Sequence, residues 1–273
     1  MSNPEIAKNI KTGSFNTNYH DLGKGETVMF IHGSGPGVSA YANWRLCMPY
    51  VAENFRVLAP DMVGFGYTDR PEGMVYNMDI WIKQVIDLMD ALNIEKTNLV
   101  GNSFGGGLAI SLAIKYPNRF NKIVLMGSMG IEFELTAGLD QAWGYTPSIE
   151  NMKSLLDTFA HSRLLVTDEL AKLRYDASIR PGFQESFSSM FPFPRQSSVT
   201  AMASNEEDIK TIKKDVLIIH GREDKVIPFE NSIRLHKLIT KSQLHAFGEC
   251  GHWSQIEHGG RFNTLIRDFF MEK

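Results

Sequence analysis

At 273 residues, with 43% hydrophobic and 22% charged side chains, the chain has the make-up of a soluble globular protein, either one large α/β domain or such a core with a modest insertion. Its net charge of −3 gives no basic footprint for nucleic acid, so an anionic ligand needs a local cation. The start, Met1-Ser2-Asn3-Pro4-Glu5-Ile6, lacks a basic segment followed by an apolar one, and no apolar run approaches the ~20 residues that span a bilayer. The two cysteines, Cys47 and Cys250, lack metal-type spacing; with the leaderless start they read as reduced thiols in a cytoplasmic protein without a membrane partner.

Short β-rich runs recur at Val28–Ile31, Arg56–Ala59, Asn98–Val100, Lys122–Met126, Val216–Ile219 and Gln243–Phe247. Most are too continuously apolar for a half-solvated sheet and predict central parallel strands covered on both faces. Helical patterns lie between them, as in Ile80, Trp81, Val85, Leu88, Met89 and Leu92, and the alternation predicts a doubly wound α/β sheet. The loops leaving the carboxyl ends of such strands lie together, which is where catalytic groups collect.

The loop after the first run reads His32-Gly33-Ser34-Gly35-Pro36-Gly37. It has neither the Gly-Lys-Ser/Thr of a P-loop nor Gly-x-Gly-x-x-Gly spacing, so no nucleotide cofactor is expected. The segment Asp61–Asp69 after the second run reads as a structural turn with no catalytic role. After the third run, Gly101-Asn102-Ser103-Phe104-Gly105 passes from strand to helix and is a candidate nucleophile elbow. A serine hydroxyl becomes a useful nucleophile only when a base takes its proton, and the sharp turn presents it while the flanking glycines remove clashing side chains.

Between about Ile131 and Asp208 the rhythm changes. Helical patterns at Ile149–Phe159 and Asp168–Ala177 follow one another with no convincing strand, punctuated by Pro181, Pro192 and Pro194, and predict an inserted helical cap. The core is then 1–130 and 209–273, and the cap 131–208.

The last two runs lead into His220-Gly221-Arg222-Glu223-Asp224 and Gly248-Glu249-Cys250-Gly251-His252-Trp253. The chain order Ser103, Asp224, His252 is that of α/β-hydrolase triads. In such a triad His252 takes the Ser103 proton, while Asp224 holds the imidazole tautomer and stabilises its charged form. Each residue alone has an ordinary structural reading: a glycine turn, a helix cap, a loop histidine. Order, strand context and spacing together favour the triad. Glu223 is the rival acid, and His161, His220, His236 and His245 are less suitably placed. Backbone amides of Ser34 and Phe104 are the candidate oxyanion donors. No His-Glu-x-x-His, carboxylate cluster or Cys/His pattern signals a metal, so neither metal nor cofactor is expected.

With these motifs in place the chain resembles the α/β-hydrolase superfamily, with a mostly parallel sheet, flanking helices and an inserted cap. The loop His32–Gly37 continuing to Ala42-Asn43-Trp44-Arg45, together with Gly101–Gly106 and Cys250-Gly251-His252-Trp253, resembles the meta-cleavage-product hydrolases. Trp143, Arg174-Tyr175 and Pro181–Phe187 resemble the branch acting on monocyclic products, the 2-hydroxymuconic semialdehyde and 2-hydroxy-6-oxo-alkyl-dienoate hydrolases. The resemblance implies hydrolysis of the C5–C6 bond of a small dienoate substrate to 2-hydroxypenta-2,4-dienoate and a carboxylic acid. It also implies a homodimer or higher homo-oligomer.

By resemblance Arg174 maps to the carboxylate-binding arginine, with Arg180 the nearest substitute, and Asn43, Asn102 and Trp253 map to dienoate-contacting positions. The cap residues Ile131, Phe133, Leu139, Trp143, Met190, Phe191 and Phe193 are expected around the C6 substituent, whether hydrogen, methyl, isopropyl or phenyl. Attack by Ser103 to form an acyl-enzyme, or activation of water with His252, would use the same residues. A serine carboxylesterase needs the same triad without the arginine, and a non-catalytic ligand-binding relative needs none of it.

Overall fold

The computed structural model describes residues 3–272. Its strands are β1 (Lys8–Thr12), β2 (Phe15–Leu22), β3 (Thr27–Ile31), β4 (Arg56–Pro60), β5 (Thr97–Asn102), β6 (Phe120–Met126), β7 (Val216–Gly221) and β8 (Ser242–Phe247). They form one sheet in the order β1-β2-β4-β3-β5-β6-β7-β8. Every pair from β4 to β8 is parallel, while β2 runs antiparallel to both β1 and β4.

The helices of the first half are α1 (Ala40–Trp44), α2 (Met48–Val51), α3 (Met78–Ala91) and α4 (Phe104–Lys115). Between β6 and β7 come α5 (Ala137–Trp143), α6 (Ile149–Phe159), a 3₁₀ turn at Arg163–Leu165, α7 (Asp168–Ser178), α8 (Phe183–Met190), α9 (Gln196–Ala201) and α10 (Glu206–Ile209), with no strand among the described residues of this stretch. Helix α11 (Phe229–Leu238) joins β7 to β8, and α12 (Ser254–Glu257) and α13 (Gly259–Met271) close the chain.

The apolar runs are buried on both sides because the strand period sends alternate side chains to opposite faces. Met29, Ile31, Leu99, Ile123, Leu125, Val216 and Ile218 pack with α3, α4, α11 and the cap. Val28, Phe30, Val100, Val124, Leu217 and Ile219 pack with α1, α2 and α13, where Trp44 lies between Phe30 and Phe262. Each large side chain buried this way contributes roughly 1.5–3 kcal/mol.

Strands β1 and β2 carry no apolar run, and the sequence pattern did not announce them. Beside Phe15 and Tyr19, which join the core, β2 buries Thr17, Asn18 and His20, and Thr17 and Asn18 are held by hydrogen bonds. Thr12 and Thr17 share a hydrogen bond of 2.6 Å, and Asn18 donates to both the Glu5 carbonyl and Asp61.

Asp61, in the turn after β4, ties this polar edge to the loops above the sheet. Its fully buried carboxylate accepts the Ala40 backbone N–H at the start of α1, the Tyr67 N–H and the Asn18 amide. Burial outweighs these bonds and pushes the carboxyl up to about 6. Next to it, His32 Nε2 accepts the Met62 N–H, so Nδ1 carries the proton and donates to the Gly33 carbonyl at 2.7 Å. Burial lowers this imidazole to about 4, which keeps it neutral in that role.

A carboxyl raised by folding holds its proton at a pH where the unfolded chain has lost it. Asp61 therefore contributes stability that is complete below its unfolded value, near 4, and is lost as pH rises through about 6. The stability of the wild type relative to Asp61→Asn is expected to rise by about 2 kcal/mol between about pH 7 and about pH 4, read from urea unfolding. A difference that does not change with pH would mean that Asp61 titrates as an ordinary carboxylate.

Candidate active site

Ser103 sits at the hinge between β5 and α4 with φ +53° and ψ −113°, a conformation that costs a non-glycine residue about 1–3 kcal/mol. The surroundings hold it there. Its N–H donates to the Met126 carbonyl at 2.9 Å, and its own carbonyl accepts N–H groups from Gly106, Gly107 and Met129. The turn is also too tight for side chains on either flank. A Cβ on Gly101 would collide with the Gly105 carbonyl, and one on Gly105 with the carbonyls of Ile31 and His32.

Asp224 follows β7 and its side chain is buried. Its Oδ1 accepts the Val226 and Ile227 backbone N–H groups at 2.7 and 3.0 Å. Its Oδ2 accepts from His252 Nδ1 at 2.7 Å and from His220 Nε2 at 3.1 Å. Burial acts to raise this carboxyl, but the charges and hydrogen bonds of His252 and His220 outweigh it and hold Asp224 below the usual carboxylate range. Because Nδ1 of His252 is the donor to the carboxylate, Nε2 carries the basic lone pair. Glu223 points elsewhere, accepting the Cys250 N–H and pairing with Arg222.

His220 lies within β7, at its end, rather than in the loop that follows, and this brings it to the acid of the triad. Its Nε2–H is shared between Asp224 and the Ile227 carbonyl, and its Nδ1 faces the Ser232 hydroxyl at 2.6 Å. His252 is also held from the cap side: its backbone N–H donates to the Phe159 carbonyl at 2.8 Å, and the Phe159 ring stacks on the imidazole with centroids 5.9 Å apart.

Ser103, His252, Ser34, Asn43, Asn102, Arg174 and Trp253 all line one cavity of about 160 Å³ beneath the cap. The backbone N–H groups of Ser34 and Phe104 donate to no protein acceptor among the described residues, as oxyanion donors must in the absence of substrate. The Ser34 loop is set by Gly33 N–H donating to Asn43 Oδ1 at 2.8 Å, and the same oxygen accepts from Asn102 Nδ2 at 3.1 Å. The Ser34 hydroxyl accepts the Trp143 indole N–H at 3.0 Å.

Arg174, on α7, reaches the cavity with its guanidinium bonded to Glu5 Oε1 at 3.0 Å and to the Gly37 carbonyl at 3.2 Å. Arg45 joins it in the lining, and Gln255 does so from α12; neither was singled out from sequence. Arg180 is absent from the lining and is occupied structurally, its guanidinium over the Tyr67 ring at 4.0 Å and bonded to the Gly66 and Ala177 carbonyls. Among the described residues, no group of three or more His, Cys, Asp or Glu side chains is arranged to hold a metal ion.

The apolar wall departs from expectation. Of Ile131, Phe133, Leu139, Trp143, Met190, Phe191 and Phe193, only Leu139 lines the cavity. Trp143 and Phe191 satisfy each other in a parallel stack with centroids 4.4 Å apart, and Phe193 is 84% exposed. Their place is taken by the apolar stripe of α6 (Met152, Leu155, Leu156, Phe159) and by Leu170 and Leu173 of α7. That stripe has the i, i+3, i+4, i+7 spacing of a helix laid on an apolar surface, so the signal was present in the sequence.

The crowding at Gly105 is directly testable. Gly105→Ala is expected to destabilise the protein by about 3 kcal/mol in urea unfolding and to abolish turnover, because backbone carbonyls cannot retreat as a flexible side chain can. Wild-type stability in this variant would show that the elbow tolerates a Cβ.

A family model described as the alpha/beta hydrolase fold matches residues 26–259. The chain is 55% identical over 272 residues to a 2-hydroxymuconate semialdehyde hydrolase of Pseudomonas sp. (strain CF600), covering 100% of this chain and 96% of that protein. It is 54% identical over 267 residues to the 2-hydroxy-6-oxo-2,4-heptadienoate hydrolase of Pseudomonas putida strain F1, covering 98% and 97%. Among solved structures, a variant of the meta-cleavage product hydrolase from Pseudomonas fluorescens IP01, complexed with acetates, is 61% identical and superposes with a TM-score of 0.97 over 98% of both chains. The strained serine hinge, the buried His-Asp pair and these full-length likenesses agree, and the chain belongs to the α/β-hydrolase family and, within it, to the meta-cleavage-product hydrolases.

Proposed function

We propose that the protein hydrolyses the C5–C6 bond of a 2-hydroxy-6-oxohexa-2,4-dienoate formed by ring cleavage of a monocyclic aromatic compound. The products are 2-hydroxypenta-2,4-dienoate and a small carboxylic acid. The observation that carries this reading is one cavity whose lining combines Ser103 and His252 with Arg174 and Arg45, in a wall that is otherwise mainly apolar. An esterase site needs the first pair alone. A planar monoanionic dienoate uses both.

The chemistry assigns a task to each group. The dienol is first converted to its keto tautomer, so that electrons of the breaking C5–C6 bond pass into the C2 carbonyl, and this needs a proton at C5. His252 Nε2 is the carrier, with Asp224 holding the opposite nitrogen and stabilising the imidazolium. Overall one water is consumed: its hydroxyl ends on C6 and a proton on C5. Ser103 supplies the oxygen nucleophile at C6 or acts with His252 on that water, and in either route the amides of Ser34 and Phe104 receive the charge on the C6 oxygen. Arg174 takes the substrate carboxylate, whose charge the weakly acidic protein as a whole does not attract. Asn43 and Asn102 serve the C2 oxygen, and the partly exposed Trp253 offers a face to the diene.

The names of the two Pseudomonas relatives point to hydrogen or methyl at C6, and the apolar wall suits either. Decay of the visible dienolate absorbance of 2-hydroxymuconic semialdehyde and its 6-methyl, 6-isopropyl and 6-phenyl analogues, with a p-nitrophenyl ester alongside, tests the reading. Rapid decay is expected for the first two and slower decay for the phenyl compound. Brisk ester cleavage with no dienolate decay would make the protein a carboxylesterase.

Two variants separate the roles. Ser103→Ala is expected to abolish turnover of dienoate and ester alike. Arg174→Ala is expected to lower kcat/KM for the dienoate by about 10²-fold, as loss of a partner to a buried charge does, while sparing the neutral ester. Equal losses on both substrates would overturn the carboxylate assignment.

A further inference from the structure

Glu5 stands in the N-terminal segment, remote in sequence from every motif of the site, yet its side chain is nearly buried against the cavity arginine. Its Oε1 pairs with Arg174 Nη2 at 3.0 Å, and its Oε2 accepts the Ser39 hydroxyl at 2.8 Å. The backbone is fastened as well. Its N–H donates to the Asn3 side chain, its carbonyl accepts from Asn18, and the next anchor is Ala7 N–H to the same asparagine. Asn18 is in turn bonded to Asp61, which holds the start of α1, the helix that carries Asn43.

We propose that Glu5 is a positioning and specificity residue for the substrate carboxylate, acting through Arg174. The inference rests on the reading of Arg174 given above. Two physical effects carry it. An arginine at the end of a long side chain loses rotamer freedom when it binds, and the fork geometry needed for a bidentate contact survives only if the guanidinium is already held. Glu5 and the Gly37 carbonyl hold it from two sides, at Nη2 and Nη1, and these bonds occupy only part of its donor set.

Charge is the second effect. Burial together with the nearby Arg174 draws Arg45 down from its ordinary value, while Glu5 acts the other way. With Glu5 in place two cations and one anion leave a single net positive charge, which one carboxylate neutralises. Without it the cluster carries two uncompensated cations under the cap, a costly arrangement that invites the arginines to turn toward solvent.

The test is a steady-state comparison of Glu5→Ala, Glu5→Gln and Glu5→Asp with a dienoate substrate and a neutral p-nitrophenyl ester, with thermal melting alongside. Glu5→Ala is expected to raise KM for the dienoate about tenfold with a much smaller change in kcat, and to alter ester kcat/KM by less than about threefold. Glu5→Asp keeps the charge and is expected to recover part of the dienoate KM. Glu5→Gln keeps the shape and an acceptor oxygen but loses the charge; a KM between those of wild type and Glu5→Ala is expected, and this variant answers the question if Glu5→Ala does not fold. The proposal is overturned if dienoate and ester fall together, which marks Glu5 as a general structural support, or if neither changes. Arg174→Ala run in parallel separates the two readings. If it discriminates dienoate from ester while the Glu5 variants do not, only the role of Glu5 is wrong; if it does not discriminate, the arginine assignment fails with it.

Discussion

The carboxylate of Asp224 is the point on which the reactive side of the molecule depends. It is buried, it accepts four N–H groups, and two of these come from imidazoles. An unpaired carboxylate at this depth would take up a proton rather than remain charged. The two backbone donors fix where the carboxylate points, and His220 shares the oxygen that faces His252. The orientation of His252 therefore comes from a network spread over the end of β7, the start of α11 and the loop after β8. None of these segments could supply it alone.

A second buried carboxylate, Asp61, does comparable work for the other half of the site. It is held by the start of α1, the turn at Tyr67 and the polar strand β2, while its neighbour His32 fastens the Gly33 loop through its two ring nitrogens. Burial raises the carboxyl and lowers the imidazole, so both are neutral together only between about pH 4 and about pH 6. Both groups act by holding backbone in place: Asp61 fixes the start of α1, and His32 ties the Gly33 carbonyl to the Met62 N–H beneath the Ser34 loop.

The parallel strands were legible because burial on both faces demands unbroken apolar runs, and the loops bearing Ser103, Asp224 and His252 follow three of those runs. The antiparallel pair β1 and β2 was not, since β2 mixes Phe15 and Tyr19 with buried threonine, asparagine and histidine, whose fitness for burial depends on partners that the local pattern does not contain. The same reason hides Glu5 and His220. Glu5 meets Arg174 across 169 residues of chain, and His220 reads as part of a loop until the extent of β7 is known. The cap shows the limit of composition as a guide: its aromatic cluster looked like a substrate wall but packs on itself, whereas the plain periodicity of α6 marked the surface that faces the cavity.

The hydrogen bond from the His252 N–H to the Phe159 carbonyl places the base of the reaction under the control of the roof above it. Phe159 is the last residue of α6, the helix whose apolar stripe walls the cavity. The carbonyl and the ring stacked on the imidazole both belong to this residue, so the seating of α6 and that of His252 are coupled. A substitution that reseats this helix would therefore reach the base through two contacts, although no residue of α6 belongs to the triad.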